Sequence, residues 1–177
     1  MIARALDLLV PPSCAACGLP GGALCAGCRG ALRPIPAPAC GGCGHPVPIP
    51  VTRCPACRPA LLWARQAVLY AGPAPRLVAA LKDRRRRALA RVVADLLATV
   101  PRPPAGAVLV PVPLGARRMR ERGFNQSLLI AEALGARWGA PVEDVLARVR
   151  EEAPQRGASA DARARQVAAA FAVRPGR

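Results

Sequence analysis

Eight cysteines form the most specific chemical pattern in this sequence. They fall into four Cys-x-x-Cys turns within the first third of the chain. A turn of this kind presents two thiolates to one zinc ion, and a second turn completes a tetrahedral shell of four sulfurs. Four turns therefore predict two structural zinc ions, and no organic cofactor is expected. The predicted ligands are Cys14, Cys17, Cys25, Cys28, Cys40, Cys43, Cys54 and Cys57.

The spacing of the turns leaves their pairing open. Adjacent pairing, which joins the first turn to the second and the third to the fourth, closes the shorter loops and is favoured. Interleaved pairing is the alternative. Disulfide or thioredoxin-like redox chemistry is the competing interpretation, but four turns at this spacing are typical of zinc ribbons. His45, the only histidine, is expected to be a bystander because eight sulfurs already fill two shells.

The segment that holds these turns has few residues able to build a hydrophobic core. Proline and glycine are frequent between the second and fourth turns, so little helix is expected there. Binding of a structural zinc ion contributes on the order of 10–16 kcal/mol and is coupled to folding. We therefore predict a double zinc ribbon over residues 1–58 that folds largely through its metal ions.

The chain is strongly basic. Its 177 residues include 26 Lys+Arg and 10 Asp+Glu, which gives a formal net charge of +16. Lys82 is the only lysine, so the excess is almost entirely arginine. GC-rich coding and a polyanionic partner are the two explanations for this bias. A charge of this size favours electrostatic attraction to phosphates.

Nothing in the sequence predicts a membrane span. No apolar run approaches the ~18 residues that a spanning helix needs. The apolar segment Met1–Pro12 contains Asp7 and lacks the layout of a signal peptide. We therefore expect a cytoplasmic protein, in which clustered cysteines are more often metal ligands than disulfides.

Residues 59–177 are predicted to form an α/β domain. Leucines at helical spacing predict a helix over 76–99, and Asn125 can cap a second helix that ends at Gly135 or Gly139. A compact apolar run predicts a buried strand at 107–112. Further strands are expected at 61–71, 142–149 and 168–173. The alternation of strands and helices favours a parallel sheet.

The first basic segment, Lys82–Arg87, lies inside the first predicted helix. Six consecutive residues surround a helix, so some arginines would lie beside its buried face. Contact with nucleic acid is the functional interpretation, and a solvated helix surface is the alternative. The candidate nucleic-acid-binding residues are Lys82, Arg84, Arg85, Arg86 and Arg87.

The second basic segment, Leu114–Gln126, joins a predicted strand to a predicted helix. Ligands of open parallel sheets bind beyond the carboxyl ends of the strands. A helix N-terminus at that point offers free N–H groups to an anion. The arrangement predicts a pyrophosphate or sugar-phosphate site, and a solvent-exposed basic loop is the alternative. The candidate residues are Leu114, Arg117, Arg118, Arg120, Arg122, Gly123, Asn125 and Gln126.

Together these patterns resemble the ComF family, phosphoribosyltransferase-like proteins linked to competence and DNA uptake. The resemblance covers essentially the whole chain. It implies a double zinc ribbon followed by a type I phosphoribosyltransferase-like domain that binds phosphoribosyl pyrophosphate. The matching segments are Leu6–Pro12, the four cysteine turns, Tyr70–Gly72 with Leu77 and Leu81–Lys82, Pro111–Leu114 with Arg122–Gln126, and Arg148, Arg150, Pro154–Gln155, Ser159, Arg163 and Phe171.

The sequence also departs from the family pattern. Ala158 and Gln166 stand where the family usually has Leu and Asn. Type I phosphoribosyltransferases continue with a strand, an acidic pair and a Thr/Gly-rich turn that bind the ribose and its phosphate. Neither Glu143–Asp144 nor Glu151–Glu152 precedes such a turn, and the sequence ends shortly after Phe171. The resemblance therefore implies a C-terminally truncated domain with half of the ligand site.

Two functions follow as expectations. Transferase catalysis depends on positioning both ends of the substrate, so a half site should bind phosphoribosyl pyrophosphate or another phosphate weakly and transfer nothing alone. No catalytic residue is assigned. The alternative is a non-enzymatic adaptor that binds single-stranded DNA and a competence or DNA-uptake protein, although few aromatic residues are present for base stacking. A gene-model artefact is a third explanation of the truncation. An incomplete sheet would expose an edge and favour poor solubility.

Overall fold

The computed structural model describes residues 13–57, 62–150, 159, 165, 167 and 169–175. The chain divides into two compact units, Met1–Pro103 and Pro104–Arg177. The first unit contains all eight cysteines and the first basic segment, and the second unit contains the second basic segment. The domain boundary at residues 58 and 59 stays a prediction from composition. Among the described residues, no helix is long and apolar enough to cross a membrane.

The cysteine-rich part of the first unit consists of turns and isolated bridges, as its proline and glycine content predicts. One short helix forms there, α1 (Ala26–Gly30), with Cys25 at its N-cap. An antiparallel bridge joins Pro34 to Val68. The sequence predicts a strand over 61–71, and the described part of that segment forms only this bridge.

Two helices follow where the sequence predicts one. They are α2 (Ala74–Lys82) and α3 (Leu89–Leu97), in place of a continuous helix over 76–99. Pro73 lies at the N-cap of α2, consistent with the preference of proline for helix starts. The two helices pack together through apolar faces. The buried residues of these faces are Ala74, Leu77, Ala80 and Leu81 in α2, and Leu89, Ala90, Val92 and Ala94 in α3.

The break between α2 and α3 has a physical cause. A continuous helix would extend the buried face from Leu81 into the arginine run one turn later, and burying an unpaired guanidinium is costly. The helix instead ends at Lys82, and Arg85 adopts a left-handed φ of 55°. Leu89, which is fully buried, then restarts the apolar face. The prediction that the whole first basic segment lies within a helix is therefore wrong: Lys82 ends α2, and the arginines connect α2 to α3.

The second unit contains α4 (Ala116–Arg122) and α5 (Gln126–Trp138). Asn125 caps α5 and Gly139 ends it with a φ of 64°, so the predicted cap and one of the two predicted ends are confirmed. A Cβ atom at Gly135 would lie 2.8 Å from the carbonyl oxygen of Ala140. Glycine at this position lets the helix lie close to the chain that follows it.

The segment predicted as a buried strand at 107–112 is largely exposed. One parallel bridge joins Leu109 to Val142, and the Leu109 N–H donates to the Pro141 carbonyl at 2.9 Å. Val110 and Val112 are 42% and 54% exposed. The apolar run therefore has one parallel partner among the described residues, and its valines lie on an accessible face.

The two assigned strands pair in the antiparallel sense. They are β1 (Leu146–Arg148) and β2 (Phe171–Val173), with Ala147 opposite Ala172. They fall within the predicted strands at 142–149 and 168–173, but the prediction that they run parallel is wrong. The register places Arg148 directly opposite Phe171, with the guanidinium over the ring, 5.3 Å from its centroid. A phosphoribosyltransferase-like parallel sheet stays a prediction.

Candidate functional site

The first cysteine cluster is assembled from a glycine-closed turn and a helix start. Cys14 and Cys17 lie on the turn, where the Gly18 N–H donates to the Cys14 carbonyl at 2.9 Å with a φ of 82°. The Cys25 sulfur accepts from the Cys28 N–H at the start of α1, at 3.4 Å. The sulfurs of Cys17 and Cys25 are 3.8 Å apart. Cys14 is buried, whereas Cys17 is exposed.

The second cysteine cluster has the same kind of turn. Gly44 closes it by donating from its N–H to the Cys40 carbonyl at 2.9 Å, with a φ of 69°. The Cys40 sulfur is 3.4 Å from that of Cys57, and the Cys43 sulfur is 3.5 Å from that of Cys54. The Cys54 N–H also donates to the Cys40 sulfur at 3.2 Å.

Both clusters fit a tetrahedral zinc ion. In each, the four sulfurs lie within 4.8 Å of one another. Zn–S bonds of ~2.3 Å place tetrahedral sulfurs about 3.8 Å apart, and four of the sulfur pairs are 3.4, 3.5, 3.8 and 4.0 Å apart. The turns pair in the adjacent order, and His45 belongs to neither group. The two groups of four cysteines are therefore consistent with two structural zinc ions.

The first turns of the two clusters are structural repeats of each other. The Cys14 N–H donates to the Leu19 carbonyl and the Cys40 N–H donates to the His45 carbonyl, both at 2.8 Å. In both, an antiparallel bridge joins the residue before the first cysteine to the second residue after the glycine. We call residues 14–18 the first knuckle and residues 40–44 the second knuckle.

The clusters also share an electrostatic pattern. Burial raises the pKa of Cys14, but backbone N–H donors outweigh it and lower that pKa to about 6. The Cys43 N–H is the main group that lowers the pKa of Cys40 to about 6. Burial and neighbouring thiols raise the pKa of Cys28 to about 12, and burial followed by the Cys40 thiol raises the pKa of Cys57. Zinc binds thiolates, so a zinc ion would have to displace the protons that Cys28 and Cys57 hold more tightly.

Sequence reasoning missed the polar side chains that hold the knuckles in place. Each is a single residue far along the chain from the carbonyl that it contacts, so no local pattern marks it. Arginines 76 and 86 donate to carbonyls of the first cluster, whereas residues 65 and 66 donate to the second knuckle. The contacts are Arg76 to Ala16 at 3.3 Å, Arg86 to Ser13, Arg65 to Gly41 at 2.9 Å and Gln66 to Cys43 at 3.2 Å.

The first basic segment is thus divided in role. Arg86 is half-buried and bonded to the Ser13 carbonyl, so it supports the first cluster. The remaining candidates are exposed at the end of α2 and in the connection from α2 to α3. They are Lys82, Arg84, Arg85 and Arg87. This part of the surface is accessible to a polyanion.

The second basic segment is anchored by Asn125. Asn125 is 7% exposed, and its Nδ2 donates to the Val112 carbonyl at 3.1 Å. Its Oδ1 accepts from the Ser127 N–H at 3.0 Å, which satisfies one amide at the start of α5. One buried side chain therefore ties the end of the apolar run to the beginning of the helix.

Between these anchors the arginines lie on a helix, α4, which the sequence does not predict. Good helix formers stand between Gly115 at its N-cap and Gly123 at its C-cap, where φ is 79°. Arg117 pairs with Glu121 at 3.7 Å, and Arg122 donates to the Gln126 side-chain oxygen. The other members of the candidate site are Arg120, which is exposed, and Arg118 and Leu114, which are half-buried.

The remaining motif residues of the resemblance are only partly described. Tyr70 is 73% exposed, and Arg148 stacks on Phe171 as reported above. Arg150 and Ser159 are exposed. The residues outside the described ranges are Leu6–Pro12, Glu151–Glu152, Pro154–Gln155, Ala158, Arg163 and Gln166.

Comparison with known proteins identifies the family. The double zinc ribbon domain family matches residues 5–58. The DNA utilization protein YhgH of Salmonella typhi is 35% identical to this chain in an alignment 184 positions long. The alignment covers 93% of this chain and 78% of the relative. The chain belongs to this ComF-like family. The Salmonella typhimurium (strain LT2) protein of the same name is 34% identical over 182 residues, with the same coverage. No solved structure matches this ComF-like chain significantly.

Proposed function

We propose that this protein acts in DNA utilisation as a ComF-like zinc-ribbon protein that binds a phosphate ligand through the second basic segment. The observation that carries the proposal is the buried Asn125 side chain. It fixes both ends of the segment, so that the arginines of α4 are held on a defined backbone. The names of the Salmonella relatives supply the link to DNA utilisation.

The ligand that we propose is phosphoribosyl pyrophosphate or a similar phosphate, bound weakly. The candidate groups are the arginines of α4, of which Arg117 and Arg120 are exposed. The acidic pair Glu143–Asp144 is exposed too, but Val145 and Leu146 follow it rather than a Thr/Gly-rich turn. With only the pyrophosphate end held, the reacting carbon would not be positioned. We therefore propose that the 177-residue chain transfers no phosphoribosyl group by itself.

Turnover of labelled phosphoribosyl pyrophosphate with each common nucleobase tests this proposal. We expect no base-dependent release of pyrophosphate above the rate without protein, together with weak binding by equilibrium dialysis. Replacement of Arg117 and Arg120 by Ala should reduce that binding, while the same change at Arg91, exposed on α3, should not. Robust turnover would refute the absence of transfer, and binding unaffected by the double variant would refute the site.

A second function is favoured by the first basic segment. Its exposed members are Lys82 at the end of α2 and Arg84, Arg85 and Arg87 in the connection that follows. This arrangement suits a non-enzymatic adaptor that holds single-stranded DNA through its phosphates. Such binding should be insensitive to base sequence. The logarithm of the binding constant should fall by about 0.7 per phosphate contact for each tenfold rise in salt concentration. The adaptor would act in the cytoplasm beside a competence or DNA-uptake protein.

Fluorescence anisotropy with a labelled oligothymidylate distinguishes the two functions. Charge reversal of Arg84 and Arg87 to Glu should reduce the affinity and flatten its salt dependence. Charge reversal of Arg117 and Arg120 should affect phosphoribosyl pyrophosphate more than DNA if the two segments serve different ligands. An affinity for DNA that does not change between low and moderate salt would exclude the adaptor.

A further inference from the structure

Two arginines join the first zinc cluster to the first basic segment. Arg76, in the first turn of α2, donates from its guanidinium to the Ala16 carbonyl of the first knuckle at 3.3 Å. Arg86, beyond the end of α2, donates to the carbonyl of Ser13, which precedes Cys14. All of these residues belong to the first unit. The cluster is therefore bonded to the chain at the start of α2 and again after its end.

The carbonyls that accept these two bonds are fixed by the cysteine turn. Ser13 pairs with Pro20 in an antiparallel bridge across the first knuckle. Ala16 is 7% exposed, and its N–H donates to the Cys14 sulfur at 3.4 Å. Because binding of a structural zinc ion is coupled to folding, loss of the first zinc ion would release the turn that holds both carbonyls.

Arg86 also holds the connection between α2 and α3. Its N–H donates to the Ala80 carbonyl at 3.1 Å, and its carbonyl accepts from the Leu89 N–H at 3.0 Å. Arg85, which precedes it, has a left-handed φ of 55°, and a non-glycine residue keeps that conformation where the surrounding structure holds it. The backbone of Arg86 is thus bonded to both helices, while its side chain is bonded to the zinc cluster.

The second zinc cluster is held by a different part of the chain. Arg65 and Gln66 donate to the carbonyls of Gly41 and Cys43, at 2.9 and 3.2 Å. These two donors lie before α2 and outside the basic segment. The second cluster therefore provides an internal comparison, because it has the same ligands and the same turn but is supported from elsewhere than the arginine connection.

We propose that Arg76 and Arg86 couple zinc occupancy of the first cluster to the affinity of the first basic segment for single-stranded DNA. With the cluster intact, the exposed basic side chains lie on a connection whose backbone is already fixed. Without it, DNA would have to order that connection itself, and ordering on binding lowers affinity. Arg86 acts here as a positioning residue, because its guanidinium contacts the Ser13 carbonyl and not the phosphates. This inference rests on the proposed binding of DNA by the first basic segment.

The coupling also acts from DNA toward zinc. A coupling free energy between two ligands is reciprocal, so DNA that binds better to the loaded first cluster must raise the affinity of that cluster for zinc by the same factor. The second cluster should show no such gain. DNA bound elsewhere on the chain would not distinguish the first zinc ion from the second.

Cysteine variants that each retain one zinc ion test the proposal. Cys17→Ser removes a ligand of the first cluster, and Cys43→Ser is the matched control at the same place in the second knuckle. In fluorescence anisotropy with a labelled oligothymidylate, Cys17→Ser should lower the affinity about fivefold, because DNA then has to order the connection. Cys43→Ser should leave the affinity nearly unchanged. Hydrogen exchange of residues 84–89 should accelerate in the Cys17 variant alone, because it reports local opening of the connection.

Zinc affinity measures the coupling from the other direction. The Cys43→Ser protein holds only the first zinc ion, so equilibrium competition with a colorimetric chelator reports on that cluster alone. Saturating oligothymidylate should raise this zinc affinity about fivefold, as linkage requires, and should not raise it in the Cys17→Ser protein. Arg86→Ala in the Cys43→Ser background should abolish the gain.

Equal affinity losses in the two cysteine variants, or a first-cluster zinc affinity that DNA does not change, would refute the coupling. A gain that persists in Arg86→Ala would exclude Arg86 as the link. Absence of oligothymidylate binding by the zinc-loaded wild type would instead refute the adaptor function on which the inference rests.

Zinc analysis and thermal melting check that each variant folds. If Cys17→Ser does not fold, Arg86→Ala in the otherwise unchanged, zinc-loaded chain replaces it. Arg91→Ala, which removes an exposed charge on α3, is then the matched control. Faster exchange at residues 84–89 and weaker DNA binding are expected for Arg86→Ala alone, and equal behaviour of the two variants would refute the link.

Discussion

Replacement of Asn125 tests the organisation of the second basic segment most directly. It is the buried polar side chain of the described residues, at 7% exposure. Its amide nitrogen donates to the Val112 carbonyl and its amide oxygen accepts from the Ser127 N–H. Asn125→Ala removes both contacts at once, and Asn125→Ser retains an oxygen able to cap α5 while removing the donor to Val112.

The cost of these changes follows from the two hydrogen bonds. Loss of an N-cap destabilises by about 1 kcal/mol. Losing the hydrogen bond to the Val112 carbonyl costs a further ~1–2 kcal/mol, because the Asn125 side of this bond is buried although Val112 itself is 54% exposed. We therefore expect Asn125→Ala to lower the free energy of unfolding of the second unit by about 2–3 kcal/mol. Asn125→Ser should lower it by roughly the second contribution alone, ~1–2 kcal/mol.

Urea unfolding monitored by tryptophan fluorescence measures the effect. The chain has two tryptophans, so a Trp63→Phe background leaves Trp138, the last residue of α5, as the reporter. A loss of about 2–3 kcal/mol should move the midpoint by about 1 M urea or more. Thr99→Ala, which removes an exposed helix-end hydrogen bond to Leu96, should leave this transition unchanged. A change below about 0.5 kcal/mol for Asn125→Ala, or an equal cost for the Ser variant, would refute the reasoning.

Three further predictions concern the zinc clusters. Cys40→Ser should reduce bound zinc from two ions to one per chain by elemental analysis, whereas His45→Ala should retain both; two ions in the Cys40 variant would contradict the ligand assignment. Gly44→Ala should destabilise the protein by more than the ~1 kcal/mol of left-handed strain, because the added methyl group meets Ala64. Gly106→Ala, where φ is 80° and the space is open, should show the strain alone in thermal melts. Equal shifts in melting temperature would argue against the contact. Arg86→Ala should accelerate zinc loss to a chelator about threefold to fivefold through its lost hydrogen bond, and the same acceleration in Arg84→Ala would show that charge alone matters.

The zinc clusters were predictable because metal coordination imposes a local spacing. Two residues between cysteines place both sulfurs on one turn, whatever the rest of the chain does. The adjacent pairing was favoured by loop length, and the sulfur groups have that pairing. The coverage of the second knuckle was not predictable, since contacts such as Arg65 to Gly41 join positions 24 residues apart and leave no periodic signal.

The helices show where local patterns reach their limit. The cap at Asn125 and the left-handed end at Gly139 follow from residue types with strong conformational preferences. The helix predicted over 76–99 fails at the arginine run, because leucine spacing alone does not register the cost of carrying charge onto a buried face. The helix α4 was not predicted, because its many arginines suggested an exposed basic segment. Its residues nevertheless have high helix propensity and lie between two glycines.

The strands were the least predictable elements. Apolar runs located β1 and β2, but pairing direction depends on contacts between segments that are distant in sequence. Two such contacts join the β1 and β2 regions: the Arg148 guanidinium lies over the Phe171 ring, and Arg174 forms a salt bridge with Asp144 at 3.2 Å. In the apolar run at 107–112 the pattern was misleading, because Val110 and Val112 are exposed. Among the described residues this run pairs through one parallel bridge, from Leu109 to Val142.

Net charge overstates the capacity of this protein for phosphate. Arg65, Arg76 and Arg86 donate to carbonyls around the two knuckles, so part of the +16 charge supports the zinc ribbons. An arginine bonded to protein carbonyls cannot release counterions from DNA unless it first leaves them. The dependence of DNA affinity on salt should therefore reflect the exposed connection between α2 and α3 and the arginines of α4, and not the total excess of basic residues. The arginines bonded to the knuckles differ from those proposed to bind phosphate, so substitutions should affect zinc retention and the binding of phosphoribosyl pyrophosphate separately.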